Sequence, residues 1–289
     1  MTGKAAWTAW VGLVGVALVW AGGARGGEAV REKNAKPQAA GAARTQTTAP
    51  AKPQAATDPA VVKILRDLEK AGQKYGTIRA DIDYNVRMRT LGDSEDRTGW
   101  VAYRKSDEKT PAHFRVTFET LKQGAGKKLR DVVDYAFDGQ WLTVAKHRIK
   151  TMTLYQLAAE GQRIEPLRIG KGPFPLPFGQ KADDVLKYFT ATRRRSFGTD
   201  PKNSTGIRLT VRPERAKEMS VQRLDMWIDR TTHLPVKLKS RDKSRNDTTV
   251  TFKNIQTNKA VPASVFRIPR KLGWETIRRP LEAGRVAAP

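Results

Sequence analysis

The chain has 289 residues, with 54 Lys and Arg against 29 Asp and Glu, a net charge of +25 and no cysteine. An apolar share of 39% is enough to bury a core, and the missing cysteine excludes disulfides, thiolate nucleophiles, thiolate metal centres and lipidation at a lipobox cysteine. The cation excess, with a pI near 10.5, favours anionic partners (phospholipid headgroups, lipopolysaccharide, nucleic acid or an acidic protein) and is equally what a solubilising basic surface would carry.

Residues 1–27 read as a secretory signal peptide. Lys4 gives a thin positive start, residues 10–21 (WVGLVGVALVWA) are apolar, and Ala21, Gly23, Ala24 and Gly26 offer small residues for cleavage. The competing reading is an uncleaved anchor, but the run is shorter than the roughly 20 residues of a spanning helix. Either way the body lies outside the cytoplasm, and a periplasmic location is expected. Residues 28–57 are rich in Ala, Pro, Gln, Thr and Lys and almost lack large apolar side chains, so a disordered linker is expected there.

Folding is expected to begin at Asp58, which can cap a helix with Pro59 at its first position. Val61, Val62, Leu65 and Leu68 then fall on one helical stripe. At residues 78–90 the period changes to two. Ile78, Ala80, Ile82, Tyr84, Val86 and Met88 face one way, Arg79, Asp81, Asp83, Asn85, Arg87 and Arg89 the other, which predicts a long strand wet on one side. A turn-like stretch over 92–99 leads to strands at 100–104 and 113–120, and Asp138-Gly139 predicts a tight turn joining 132–137 to 140–146. Further strand-like runs cover 149–155, 191–197, 207–212, 223–229, 234–240 and 248–255. About 10–11 short strands without long helices between them predict a mainly β (α+β) fold: an incomplete antiparallel β-barrel made of one strongly curved sheet.

The alternation breaks over residues 157–189. GPFPLPFG, residues 172–179, sets Phe174, Leu176 and Phe178 between prolines, and Ala182, Val185, Leu186 and Phe189 then repeat at helical spacing behind Asp183 and Asp184. Two readings fit: a plug that seals an open sheet end, or a movable lid over an apolar cavity. The cavity wall by alternation is Ile82, Tyr84, Val86 and Met88; Phe114, Val116 and Phe118; Tyr135 and Phe137; Leu224, Met226 and Ile228; and Val250 and Phe252. Most of these would be core in a protein that binds nothing.

Nothing in the chain spells a catalytic or metal motif, so a non-enzyme without cofactor is expected. His113, His147 and His233 are scattered without ligand spacing, and there is no G-x-S-x-G elbow. Gly124 to Lys128 looks like a phosphate loop, but Leu121 stands where the first glycine belongs and Lys128 where Ser or Thr must be, so it reads as a basic hairpin tip. Asp81 and Asp83 share a face with Arg79 and Arg87, which points to surface ion pairs. Nucleic-acid binding would call for aromatics standing out among the cations, whereas Phe114 and Phe118 alternate against Arg115.

Gly99-Trp100-Val101-Ala102-Tyr103-Arg104 is followed by Thr110-Pro111-Ala112-His113-Phe114-Arg115, then by the hairpin from Asp134 through Asp138-Gly139 to Leu142, and then by the closing run Leu234 to Leu238, Thr249 to Ile255 and Val265-Phe266-Arg267-Ile268-Pro269. In this order the stretches resemble the periplasmic outer-membrane lipoprotein carrier family (LolA-like). The resemblance covers residues 58–273, one domain, and leaves 274–289 as a basic flexible tail. It implies a half-barrel whose apolar cavity shelters lipoprotein acyl chains, with Phe174, Leu176, Phe178, Val185, Leu186 and Phe189 as lid. It also implies a basic residue, Arg104 or Lys105, that latches the lid. Only one of the two can point inward; Arg104, which shares a face with Trp100 and Ala102, is the choice. The partners implied are acylated lipoproteins, an inner-membrane release complex and an outer-membrane receptor, served by a monomer. The arginine cluster 193–195 and the basic stretch 267–279 depart from the family pattern and suggest contact with anionic membrane or cargo. They leave room for a lipid-binding or lipoprotein-sensing regulator, or a structural or polyanion-binding envelope protein.

Overall fold

In the computed structural model, which describes residues 56–108, 110–162 and 180–281, Asp58 opens the fold. Its carboxylate accepts the Ala60 N–H at 2.8 Å and Pro59 follows at the first helical position, where a missing N–H costs nothing. Helix α1 (Pro59–Lys74) buries Val61, Leu65, Leu68 and Ala71, one stripe at helical spacing. A second helix, α2 (Ala182–Tyr188), packs beside α1, and Glu69 of α1 accepts the N–H of Ala182 at 3.1 Å.

Among the described residues twelve strands make one sheet. They are β1 (Thr77–Met88), β2 (Asp93–Arg104), β3 (His113–Gln123), β4 (Leu129–Phe137), β5 (Trp141–Lys146), β6 (Thr151–Gln156), β7 (Phe189–Arg193), β8 (Ser204–Val211), β9 (Val221–Asp229), β10 (Pro235–Asp242), β11 (Asp247–Thr257) and β12 (Glu275–Arg279). Their order is β12-β6-β5-β4-β3-β2-β1-β11-β10-β9-β8-β7, antiparallel throughout except for the β12–β6 pair, and the sheet is curved and open, with β7 and β12 at its edges. It is two meanders joined where β1 meets β11: Ile82 pairs with Phe252 and Tyr84 with Val250. Both edges are blunted. The five-residue β7 has its Ala191 carbonyl taken by the Asp58 N–H, and β12 carries Arg278 and Arg279.

The incomplete barrel read from the sequence is therefore present, with three differences. The stretch 92–99 is strand from Asp93 on, because β2 starts at once after β1 and pairs along its whole length, Met88 with Asp93 and Tyr84 with Arg97. The sheet also runs past residue 273: Glu275–Arg279 forms β12 beside β6, inside the stretch read as a tail. Phe189, counted with the helix stripe, is already the first residue of β7. The other turns follow their chemistry. Gly139, at φ 104°, closes the β4–β5 hairpin, and Gly124 to Lys128 form the β3–β4 tip.

Two features outside the apolar core hold the sheet together. Residues 258–274 cross its outer face. Val261 and Phe266 are buried there on Ala102 against Trp100, and Arg115 donates to the Val265 carbonyl at 3.1 Å. Below that crossing Asp134, 2% exposed, accepts from Thr117 at 2.6 Å and from Arg115 at 2.8 Å and shares a hydrogen bond with His147 at 2.8 Å. Burial alone would raise its pKa, but the hydrogen bonds from Thr117 and Arg115 and the arginine's charge hold it below the usual carboxylate range. Further along, Asp225 and Asp247, each 3% exposed, gather arginines from neighbouring strands, Arg208 at 2.7 Å and Arg241 at 2.7 Å.

Gly99 faces Phe118 at a bulge, and a Cβ there would lie 1.8 Å from the Thr117 carbonyl oxygen. Gly99→Ala therefore forces two central strands apart and should lower stability in urea unfolding by about 2–4 kcal/mol; an unchanged midpoint would show that the bulge yields freely. Asp247 gives a pH test. The Arg241 hydrogen bond outweighs burial and, with Arg89 and Lys239, lowers its pKa from 3.8 to about 2. A lowered pKa means the stabilisation is whole above pH 4 and is lost as pH falls through about 2. Wild type should exceed Asp247→Asn by about 1–2 kcal/mol at pH 6, the range allowing for screening at the exposed Arg89, and the gap should shrink as pH falls from about 4 through about 2.

Candidate functional site

Strand register decides which side chains share a face. Ile82, Tyr84 and Val86 sit opposite Phe252, Val250 and Thr248 on one side, and Gly99, Arg97 and Glu95 on the other. Phe114, Val116 and Phe118 pair with Phe137, Tyr135 and Val133. In the second meander Leu238 and Ser240 pair with Met226 and Leu224, which pair in turn with Ile207 and Leu209. Pro235 pairs with Ile228, and Met88 closes β1 opposite Asp93. Every side chain expected to line a wall is thus on one face, the inner one.

These side chains are mostly buried: Phe114 and Phe137 at 0%, Phe118 at 2%, Met226 at 0% and Phe252 at 4%, with Met88 and Tyr135 partly open. The aromatic rings touch. Tyr84 and Phe118 have centroids 5.3 Å apart, Phe118 and Tyr135 6.2 Å, and Phe114 and Phe137 5.7 Å. On α2 and β7, Val185 and Phe189 are buried and Leu186 is partly exposed. Arg212 donates to the Leu186 carbonyl at 3.0 Å, which fixes the helix end to the residue that follows β8. Phe174, Leu176 and Phe178 lie outside the described residues, as do residues 1–55.

One part of this face was not legible as part of the site. Because β2 starts at Asp93, Glu95 and Arg97 continue the inner-face alternation beyond Gly99, so the apolar wall ends in charge. Arg97 holds Glu95 at 2.5 Å and Asp131 at 3.1 Å and lies 5.9 Å from the Phe118 ring centre. Burial pushes the hydroxyl of Tyr84 well above its ordinary range, helped by Tyr135 and Glu95. Tyr135 is pushed up to about 12, mainly by burial. Both stay neutral donors at the border between apolar wall and ion cluster. The available signal was the parity of Glu95, Arg97 and Gly99, masked by turn-like composition.

Arg104 does share its face with Trp100 and Ala102, but that is the outer face. Its guanidinium donates to the Val261 carbonyl and stacks 5.0 Å from the Phe266 ring centre, so in this structure it holds the C-terminal crossing. Lys105, one residue on, reaches the other way and donates to the Gln73 carbonyl at the end of α1, at 3.0 Å. Beside Arg104 a cavity of about 250 Å³ is lined by His113, Asp138, Gln140, Ala263, Phe266 and Arg267. Burial lowers the His113 pKa, with Arg104 and Arg267 adding to the effect. Among the described residues no group of three or more His, Cys, Asp or Glu could hold a metal ion, and no helix is long and apolar enough to cross a membrane. Chemically the inner face is a mostly buried apolar layer bounded by neutral hydroxyls and an ion cluster.

The model of the family "Outer membrane lipoprotein carrier protein LolA" matches residues 189–269, which is β7 through β11 and the turn after them. No curated protein matches the chain. Solved structures similar to it include an uncharacterized conserved protein from Thermus thermophilus (11% identity, TM-score 0.45, covering 76% of this chain and 99% of that one). Another is the Mycobacterium tuberculosis lipoprotein LppX (14%, 0.42, 71% and 99%). A third is a putative outer membrane lipoprotein-sorting protein domain from Vibrio parahaemolyticus (10%, 0.36, 71% and 95%). Residues 189–269, on the second half of an open, curved, mainly antiparallel sheet, are thus similar to the LolA family.

Proposed function

We propose that the chain is a periplasmic carrier that shelters the acyl chains of lipoproteins against the inner face of its sheet and moves them toward the outer membrane. The observation that carries this reading is the single-sidedness of the sheet: apolar side chains of both meanders meet on one face across the β1–β11 ladder. Each CH₂ buried there is worth about 0.8 kcal/mol, so a surface of this extent can retain acyl chains that water rejects. Phe174, Leu176 and Phe178, with Val185, Leu186 and Phe189, would cover the chains when they are bound and replace them when they are not. The hydroxyls of Tyr84 and Tyr135 and the Arg97 cluster would mark the end of the apolar run, where a polar head can meet water or hydrogen-bond donors. The match of residues 189–269 supports a carrier; an inner-membrane release complex and an outer-membrane receptor would be its partners. Transfer by such a carrier makes and breaks no covalent bond.

Native mass spectrometry of the chain purified from the envelope tests this. The expected result is a bound acylated peptide or phospholipid that is lost from the variant Phe174→Ser/Leu176→Ser/Phe178→Ser. A protein that stays empty after incubation with a triacylated lipopeptide would contradict the carrier reading.

A further inference from the structure

The outer face of β8, β9 and β10 carries a grid of cations. Across the strands Arg208 stands opposite Asp225 and Asp225 opposite Lys239; one row on, Arg223 stands opposite Arg241 and Arg241 opposite Asp247; on the far side Trp227 stands opposite Lys237. The two carboxylates are already shared. Asp225 is approached by Arg208 at 2.7 Å, Arg194 at 3.6 Å and Arg223 at 3.8 Å. Asp247 is approached by Arg241 at 2.7 Å, Arg89 at 3.0 Å and Lys239 at 3.9 Å. Both lie beneath their cations, whereas the side chains of Arg208, Lys239 and Arg223 keep 38%, 39% and 31% of their surface in solvent.

Arg223 facing Arg241 is a like-charge pair directly across two strands, an arrangement that weakens a sheet. Burial is the main cause that lowers the Arg223 pKa, with Arg208 and Arg241 adding to it against the opposing charges of Asp225 and Asp247. A surface charged only for solubility intersperses both signs. Here the exposed layer is cationic and the acids form the layer below.

We propose that this face, centred on the Arg223–Arg241 pair, is a docking surface for an anionic phospholipid bilayer, whose headgroup phosphates bridge the facing cations. Guanidinium forks suit phosphate oxygens. The cations spread in two dimensions over three strands, which fits a plane of phosphates better than a single polyanion chain. Single-stranded nucleic acid would need protruding aromatics, yet Trp227 is only 3% exposed and is covered by Arg194 at 4.5 Å and Lys237 at 5.0 Å from its ring centre. This surface takes in Arg194 of the run 193–195 but nothing of the stretch 267–279, and it lies on the opposite face from the proposed acyl-chain wall, so either proposal can fail alone.

Co-sedimentation of the full chain with vesicles of phosphatidylcholine, with and without phosphatidylglycerol, tests the proposal. Arg223→Gln/Lys237→Gln/Lys239→Gln should lose roughly 100-fold in affinity for the anionic vesicles, at about 1 kcal/mol per cation. Lys122→Gln/Lys127→Gln/Lys128→Gln, at the end of β3 and in the β3–β4 tip, removes the same charge and should stay near wild type. The single variant Arg223→Gln removes half of a repulsive pair. It should keep or raise the thermal midpoint while weakening vesicle binding, which separates docking from unfolding. Equal losses in the two triple variants, undiminished binding by the first, or preference for an oligothymidylate or polyphosphate over the vesicles at the same salt would overturn the assignment.

Discussion

The ladder between β1 and β11 joins strands from opposite ends of the fold, and without it there would be two separate meanders, each with an uncovered apolar face. The register of that ladder sets Ile82 beside Phe252 and Tyr84 beside Val250, so the apolar sides of both meanders become one surface. A slip of one residue would turn Asp81 and Asp83 to the inside, which is why the alternation along β1 specifies the join. Gly99 and the bulge next to it serve the same end, because they let β2 and β3 approach closely where the wall is most aromatic.

The outer face is organised by buried carboxylates. Asp134, Asp225 and Asp247 each bind cations from neighbouring strands, and in this way the sheet ties down part of a +25 charge that would otherwise repel itself. The two halves use the device differently. Around Asp134 the cations are covered by the crossing of residues 258–274, with Arg115 reaching the Val265 carbonyl and His147 edge-on to Trp274 at 4.9 Å. Around Asp225 and Asp247 the cations remain open to solvent, and the face is free to meet an anionic surface.

Period-two alternation was enough to read the mainly β class and which apolar side chains share a face, from Ile82 on β1 to Phe252 on β11, because a buried side chain at every second position is what a strand with one covered face requires. It failed where composition hid the pattern. Residues 93–98 are polar on both faces, since β2 there runs beyond the apolar core and is held by ion pairs and a Thr98–Thr120 contact at 2.7 Å. Alternation also groups residues by face without saying which face is inner for a short run such as Trp100 to Arg104. Trp100 and Ala102 are apolar because the C-terminal crossing covers them, a contact between residues far apart in the chain, and Arg104 goes with them. Strand β12 is parallel to β6 and reached by the same crossing, so no local turn announces it. The cation grid was invisible for a similar reason: Arg208, Arg223, Lys239 and Arg241 look scattered along the chain and meet only through strand pairing.

Fold and charge together describe a two-faced sheet, with the inner face proposed to hold acyl chains and the outer proposed to meet headgroups. The most direct test of the first is photo-crosslinking of the full chain with a diazirine-bearing triacylated lipopeptide, followed by mapping of the adducts. The account predicts adducts on inner-face residues such as Ile82, Phe118, Met226 and Phe252, competed away by unlabelled lipopeptide. Adducts confined to outer-face residues such as Trp100 and Trp227, or none that unlabelled lipopeptide displaces, would contradict it.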